Sequence, residues 1–137
     1  MSQEERYLST KELFDLSGKV AIVTGGTMGI GLGCSRRLAE SGASLVIAAR
    51  GAEKGAEVTR ELRDAGYKIS FMKCDVSQKA EVARLVENTV KAFGRLDIMV
   101  NNAGIFPKTP IDEAGMETWD RVINVNVRGL FFCSREA

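Results

Sequence analysis

Val20-Ala21-Ile22-Val23-Thr24-Gly25-Gly26-Thr27-Met28-Gly29-Ile30-Gly31 is the stretch that decides the fold. An apolar run of strand length closes at Thr24, and an amphipathic helical pattern opens at Gly29. Glycine-dense backbone therefore sits where a strand turns into a helix. A helix start carries unpaired amides and partial positive charge, and glycines let the chain approach a phosphate with no Cβ in the way. The junction is suited to a dinucleotide's diphosphate, although the general G-x-G-x-x-G spacing is not met, because Cys34 occupies the third glycine's place when counting starts at Gly29.

Outward from this junction the chain alternates. The pattern predicts strands at 20–24, 44–49, 69–73 and 96–100, and helices at 29–41, 52–65 and 78–93. Gly42 and Gly66 stand where a left-handed residue would end a helix, and Ser77 is placed to cap the third of these helices. Short, mostly apolar strands separated by helices indicate a parallel sheet with helices on both faces. Residues 1–17 read as a polar N-terminal extension with a short helix at 9–14, where Ser9 and Glu12 have capping-box spacing; residues 18–137 read as one domain. The segment 116–137 carries two patterns. Ile123, Val125 and Val127 alternate as in a strand, whereas Trp119, Val122, Ile123, Asn126, Leu130 and Cys133 fall on one helical face. A helix is the expectation, since a parallel sheet needs a crossover after its fourth strand.

Composition excludes several classes of function. Nineteen Lys and Arg against 18 Asp and Glu give a net charge of +1, with no basic cluster to gather nucleic acid. No stretch has the length of a membrane helix and the polar start has no signal-peptide core, so a cytoplasmic location is expected. The three cysteines are far apart, and with no histidine in the chain the common zinc sites and Ser-His-Asp or Cys-His catalysis are ruled out; no metal is expected.

Thr24-Gly25-x-x-x-Gly29-x-Gly31, Asp75-Val76 after the third strand and Asn101-Asn102-Ala103-Gly104 after the fourth occur in the order and with the strand placement of a known family. Together with Leu16-Ser17-Gly18-Lys19 and Trp119-Asp120-Arg121-Val122-Ile123-Asn124-Val125-Asn126, they make the chain resemble the short-chain dehydrogenase/reductase family over about residues 13–137. The resemblance implies a doubly wound, Rossmann-like α/β sheet of strand order 3-2-1-4, with the matching loops converging on one crevice at the switch point. It implies that Gly25, Thr27, Met28, Gly29, Ile30 and Gly31 line the diphosphate and adjoining ribose. Asp75 and Val76 would hold the adenine, and Asn102, Ala103 and Gly104 would pass beneath the ribose nearer the nicotinamide. Ala49 stands at the family's acidic position and Arg50 follows it. A guanidinium there suits a 2′-phosphate, so NADP is expected over NAD, although Met28 stands where many NADP-preferring relatives have a basic residue.

The implied reaction is hydride transfer between nicotinamide and a carbonyl or alcohol carbon, with a tyrosine passing the proton beside a lysine, a serine and an asparagine. Asn126 matches the asparagine. The serine and the Tyr-x-x-x-Lys motif belong after the next strand, beyond Ala137; Tyr7 and Lys11 have the spacing but lie in the lead-in, and are read as coincidence. The expectation is thus the cofactor-binding half of an oxidoreductase, inactive alone, meeting a small carbonyl or alcohol substrate only when the other half is present. An unpaired fourth strand would leave it self-associating or marginally stable. The alternatives are a non-catalytic nucleotide-binding or interaction protein, and an unstable fragment.

Overall fold

A computed structural model describes residues 7–110 and 112–137; residues 1–6 of the lead-in and Ile111 lie outside the described residues. After a short helix α1 (Thr10–Leu13), the chain runs β1 (Val20–Thr24), α2 (Gly29–Glu40), β2 (Ser44–Ala49), α3 (Ala52–Asp64), β3 (Ile69–Lys73), α4 (Lys79–Phe93) and β4 (Ile98–Val100). The four strands form one parallel sheet in the order β3-β2-β1-β4. This is the doubly wound arrangement and strand order expected from the sequence.

Strand alternation explains why helices cover both faces. Ala21, Val23, Leu45, Ile47 and Ile69 point to one side, where they pack with Val58 and Leu62 of α3 and with Leu32, Cys34 and Leu38 of α2. Ile22, Val46 and Ala48 point to the other, against Val82 and Leu85 of α4 and against Cys133. All five residues of β1 are buried, so it forms the spine of the sheet, and the loops after β1, β2, β3 and β4 are brought to one end. Gly42 and Gly66 have φ of 95° and 91°, the left-handed conformation their positions call for. The capping box of α1 is also present, with Ser9 and Glu12 bonded reciprocally.

Three local expectations are corrected. Ser77 does not cap α4. Its amide and hydroxyl both donate to Asp75 Oδ1, at 3.0 and 2.8 Å, so the chain turns there and the helix starts one residue later with Gln78 as an N-cap that makes no side-chain bond. The fourth strand is shorter than 96–100. The Val20 amide, which a longer strand would engage through its backbone, is taken by the Asp97 carboxylate at 2.9 Å.

The third correction concerns the last segment. It is helical, as expected, but not uniformly α: α5 (Met116–Ile123) passes into a π-helical turn, Asn124–Gly129, and then into α6 (Leu130–Glu136). A wider turn shifts the helical phase, so the expected face does not persist. Trp119 and Leu130 are 57% and 50% exposed, whereas Gly129 and Cys133 are buried. Close packing at the turn is part of the reason, because a Cβ on Gly129 would lie 2.7 Å from Val76 Cγ2.

Candidate functional site: a crevice at the carboxyl ends of the strands

At the end of β1 the chain makes a tight turn that its own neighbours fill. Gly25 has φ of 67°, and a Cβ on Gly31 would lie 2.2 Å from the Gly25 carbonyl oxygen and 2.4 Å from Asn102 Nδ2. Asn102 Nδ2 donates to the carbonyls of Thr24 and Gly25, at 2.9 and 3.2 Å. The Thr24 hydroxyl donates to the Val100 carbonyl and accepts from the amides of Asn102 and Ala103, each at 3.1 Å. The first and fourth loops are thus laced together by two side chains, and glycine at 25 and 31 is what allows the approach.

Helix α2 begins directly above this lacing. Its N-cap is Met28, which offers no side-chain bond to the first-turn amides. Those amides and the positive end of the helix face open space, a ready anion site. A crevice of about 580 Å³ lies there, walled by the four loops. Every residue assigned to cofactor binding from the sequence lines it: Gly25, Thr27, Met28, Gly29, Ile30 and Gly31 from the first loop, Arg50 from the second, Asp75 and Val76 from the third, and Asn102, Ala103 and Gly104 from the fourth. The crevice thus combines a glycine-rich turn, a helix start without a side-chain cap and a guanidinium one strand away, features suited to phosphate groups.

The individual side chains differ in freedom. Arg50 makes no ion pair among the described residues. Asp75 Oδ1 is committed to Ser77, and the Asp75 amide donates to Glu81 Oε2 at 2.8 Å, so the residue both shapes its turn and borders the crevice. Val76 is buried, with Gly129 behind it. Met28 and Ile30 are 67% and 82% exposed and form apolar lips.

Asn126 stands behind the crevice rather than in its lining. Its Oδ1 accepts from the Ile105 amide at 2.9 Å and its Nδ2 donates to the Ile105 carbonyl at 3.0 Å. One side chain thereby satisfies both backbone groups of a loop residue that lines the crevice. Tyr7 is 88% exposed in the lead-in.

Sequence reasoning missed Lys54, Cys74 and Phe106, all of which line the crevice. For Lys54 there was a signal, since it lies four residues, or about one helical turn, after Arg50. Its ammonium now pairs with Glu57 at 2.8 Å. Cys74 had none. It is buried, and desolvation, with the neighbouring Cys133, Glu81 and Asp75 adding to it, pushes its thiol up to about 12, so it borders the crevice as a neutral apolar group rather than a nucleophile. Burial likewise raises the Cys133 thiol to about 11.

The family model of short chain dehydrogenases matches residues 19–137. An uncharacterized oxidoreductase of Thermotoga maritima is 42% identical over 120 residues, 88% of this chain and 47% of that protein. A 3beta-hydroxysteroid dehydrogenase of Mediterraneibacter gnavus is 42% identical over 119 residues, 86% of this chain and 43% of the other. Among solved structures, a short-chain type dehydrogenase/reductase from Mycobacterium marinum superposes with a TM-score of 0.90 at 35% identity, over 95% of this chain and 53% of that one. The chain spans about half the length of the curated relatives it matches. With the sheet order, the crevice and these matches in agreement, the chain belongs to the short-chain dehydrogenase/reductase family.

Proposed function

We propose that residues 18–137 form the cofactor-binding part of an NADP-dependent oxidoreductase that moves hydride between nicotinamide and a carbonyl or alcohol substrate, with residues 1–17 as an extension. The observation that carries this reading is the convergence of four separate loops on one crevice beside the uncapped start of α2. The bound dinucleotide supplies the hydride chemistry. The chain's own residues bind and orient it. Backbone from Gly25 to Gly31 receives the diphosphate, and Asp75 and Val76 border the adenine. Asn102, Ala103 and Gly104 form the floor beneath the second ribose, while Asn126 fixes the loop at Ile105 and supports a proton relay.

NADP is favoured by the lining at the second strand's end. Ala49 puts no carboxylate there and Arg50 is unpaired among the described residues, while Lys54 on the same wall is paired with Glu57. A phosphate with more than one negative charge gains from a guanidinium fork what a ribose hydroxyl does not. The proton-transferring serine, tyrosine and lysine are not supplied by residues 18–137, so we infer that this chain binds the coenzyme without turnover.

Calorimetric titration of the chain with NADPH and NADH tests the assignment. NADPH binds more tightly, and Arg50→Ala weakens NADPH by about tenfold or more, the scale of a lost charge-assisted bond, while leaving NADH nearly unchanged. An unaltered preference in the variant removes Arg50 from the recognition of the 2′-phosphate. Absence of binding by either coenzyme to the folded chain removes the whole reading.

A further inference from the structure

A second cavity, of about 350 Å³, opens between α3 and the edge strand β3, away from the crevice, and is lined by Ala56, Thr59, Arg60, Arg63, Asp64 and Phe71. Thr59 is its unusual member. Two threonines are buried within long helices, at 5% and 0% exposure for Thr59 and Thr89. Thr89 Oγ1 donates to the Leu85 carbonyl four residues back at 2.7 Å, the usual way for a helical hydroxyl to be satisfied. Thr59 does not follow it; its Oγ1 is buried with no hydrogen-bond partner. A buried polar atom left unpaired is uncommon in a folded chain and points to a missing partner.

The rest of the lining indicates what that partner is. Arg63 is anchored by its Nε, which donates to the Ile69 carbonyl at 2.7 Å, so its guanidinium is held at the cavity, and its terminal nitrogens make no ion pair among the described residues. Arg60 lies one turn from Ala56 on the same wall and makes no ion pair among the described residues. The nearby Glu57 is already paired with Lys54. Phe71 supplies the apolar wall. Its ring rests on Gly55, where a Cβ would come within 2.2 Å of the ring, so the aromatic face is seated by the absence of a side chain beneath it.

We propose that this cavity binds a small ring compound carrying one phosphate monoester. The anion's oxygens meet the two guanidinium groups, rotation of Thr59 about χ1 brings its buried, unpaired hydroxyl round to donate to one of them, and the ring lies against Phe71. Asp64 leaves the lining with two cations against one carboxylate, which suits a single phosphate and disfavours a polyphosphate chain. None of this depends on the coenzyme reading of the crevice.

Amide chemical-shift titrations of the full chain with phenyl phosphate and with inorganic phosphate test the proposal. Phenyl phosphate is expected to shift Thr59, Arg60, Arg63 and Phe71, with inorganic phosphate at least about fivefold weaker; Arg60→Met and Thr59→Val each weaken phenyl phosphate by about fivefold or more. Melting curves of both variants confirm that they fold, and exposed Arg60 is the safer of the two. Shifts confined to Gly25–Gly31, equal binding of the two anions, or folded variants that bind as the parent does would each overturn the site.

Discussion

Two glycines of the same helix illustrate how much of the site is decided by single atoms. Gly31 and Gly33 look equivalent in the sequence, both small residues in the first turns of α2. A Cβ at 31 would strike the Gly25 carbonyl and the Asn102 amide group, neither of which can move without unlacing the first loop from the fourth; a Cβ at 33 meets nothing within 4 Å. Gly31→Ala is therefore expected to lose about 1–3 kcal/mol, the usual penalty for overpacking a filled site. Gly33→Ala should gain about 0.5–1 kcal/mol from helix propensity and the smaller entropy of the unfolded chain. Urea denaturation of the two variants measures both, and equal effects of the same sign would mean that the lacing through Asn102 does not constrain the loop. Coenzyme titration then separates the two roles of the glycine turn, since Gly33→Ala keeps the cradle and should keep binding.

At the scale of elements, the sheet's lower end depends on one carboxylate. Asp97 accepts from the Val20 amide at the start of β1 and from Arg95 through two nitrogens, with Lys19 at 3.8 Å, so it joins the strand starts that a longer β4 would have joined by backbone pairing. The Arg95 guanidinium first, and the Val20 amide next, hold its carboxyl below the ordinary carboxylate range. A depressed folded value fixes the sign: the stabilisation is present above the unfolded value near about 4 and is lost as pH falls through the lower, folded one. Asp97→Asn should accordingly melt below the parent at neutral pH, with the gap closing as pH falls below about 4; a gap that stays constant into acid would show that the charge contributes nothing. Much at this scale was legible beforehand. The order of strands and helices followed from hydrophobic period, and the crevice lining followed from ordered motifs at strand ends. What was not legible depends on individual side-chain contacts that periodicity does not encode. Asp75 captures Ser77 and removes a cap that local spacing promised, the Asp97 carboxylate takes the Val20 amide from 77 residues away where a longer β4 would have paired, and the π-helical turn at Asn124–Gly129 arises where Asn126 grips Ile105 and Gly129 seats against Val76. A periodicity argument assumes 3.6 residues per turn and has no means of registering one wider turn.

For the molecule as a whole, the question is what covers the far side of β4. Among the described residues that strand pairs only with β1, and Trp119 of α5, Val127 of the π-helical turn, and Leu130 and Phe131 of α6 are each 50–57% exposed. Completing the burial of four such side chains is worth roughly half of about 1.5–3 kcal/mol apiece, so about 3–6 kcal/mol in total. That gain only matches the lower estimates of the entropic cost of association, about 4 kcal/mol and upward, so these side chains alone are not expected to hold a second copy. Edge pairing of β4 adds hydrogen bonds of about 0.5–1.5 kcal/mol each, but only three residues offer them. At the favourable end of these ranges the sum reaches about 6.5 kcal/mol, so self-association is expected no tighter than tens of micromolar. Sedimentation velocity of the chain from about 1 to about 200 µM should then show an average mass rising with concentration. Phe131→Glu is expected to return it to a monomer without lowering the melting temperature, because the side chain it replaces is more than half exposed and lies outside both buried clusters. A parent chain that keeps the monomer mass across the whole range would show that the short edge and the split apolar face are too small to recruit a copy. A variant that stays associated would move the contact from the helix face to the β4 backbone, where Val100→Pro, which removes a strand amide, is the next substitution to test.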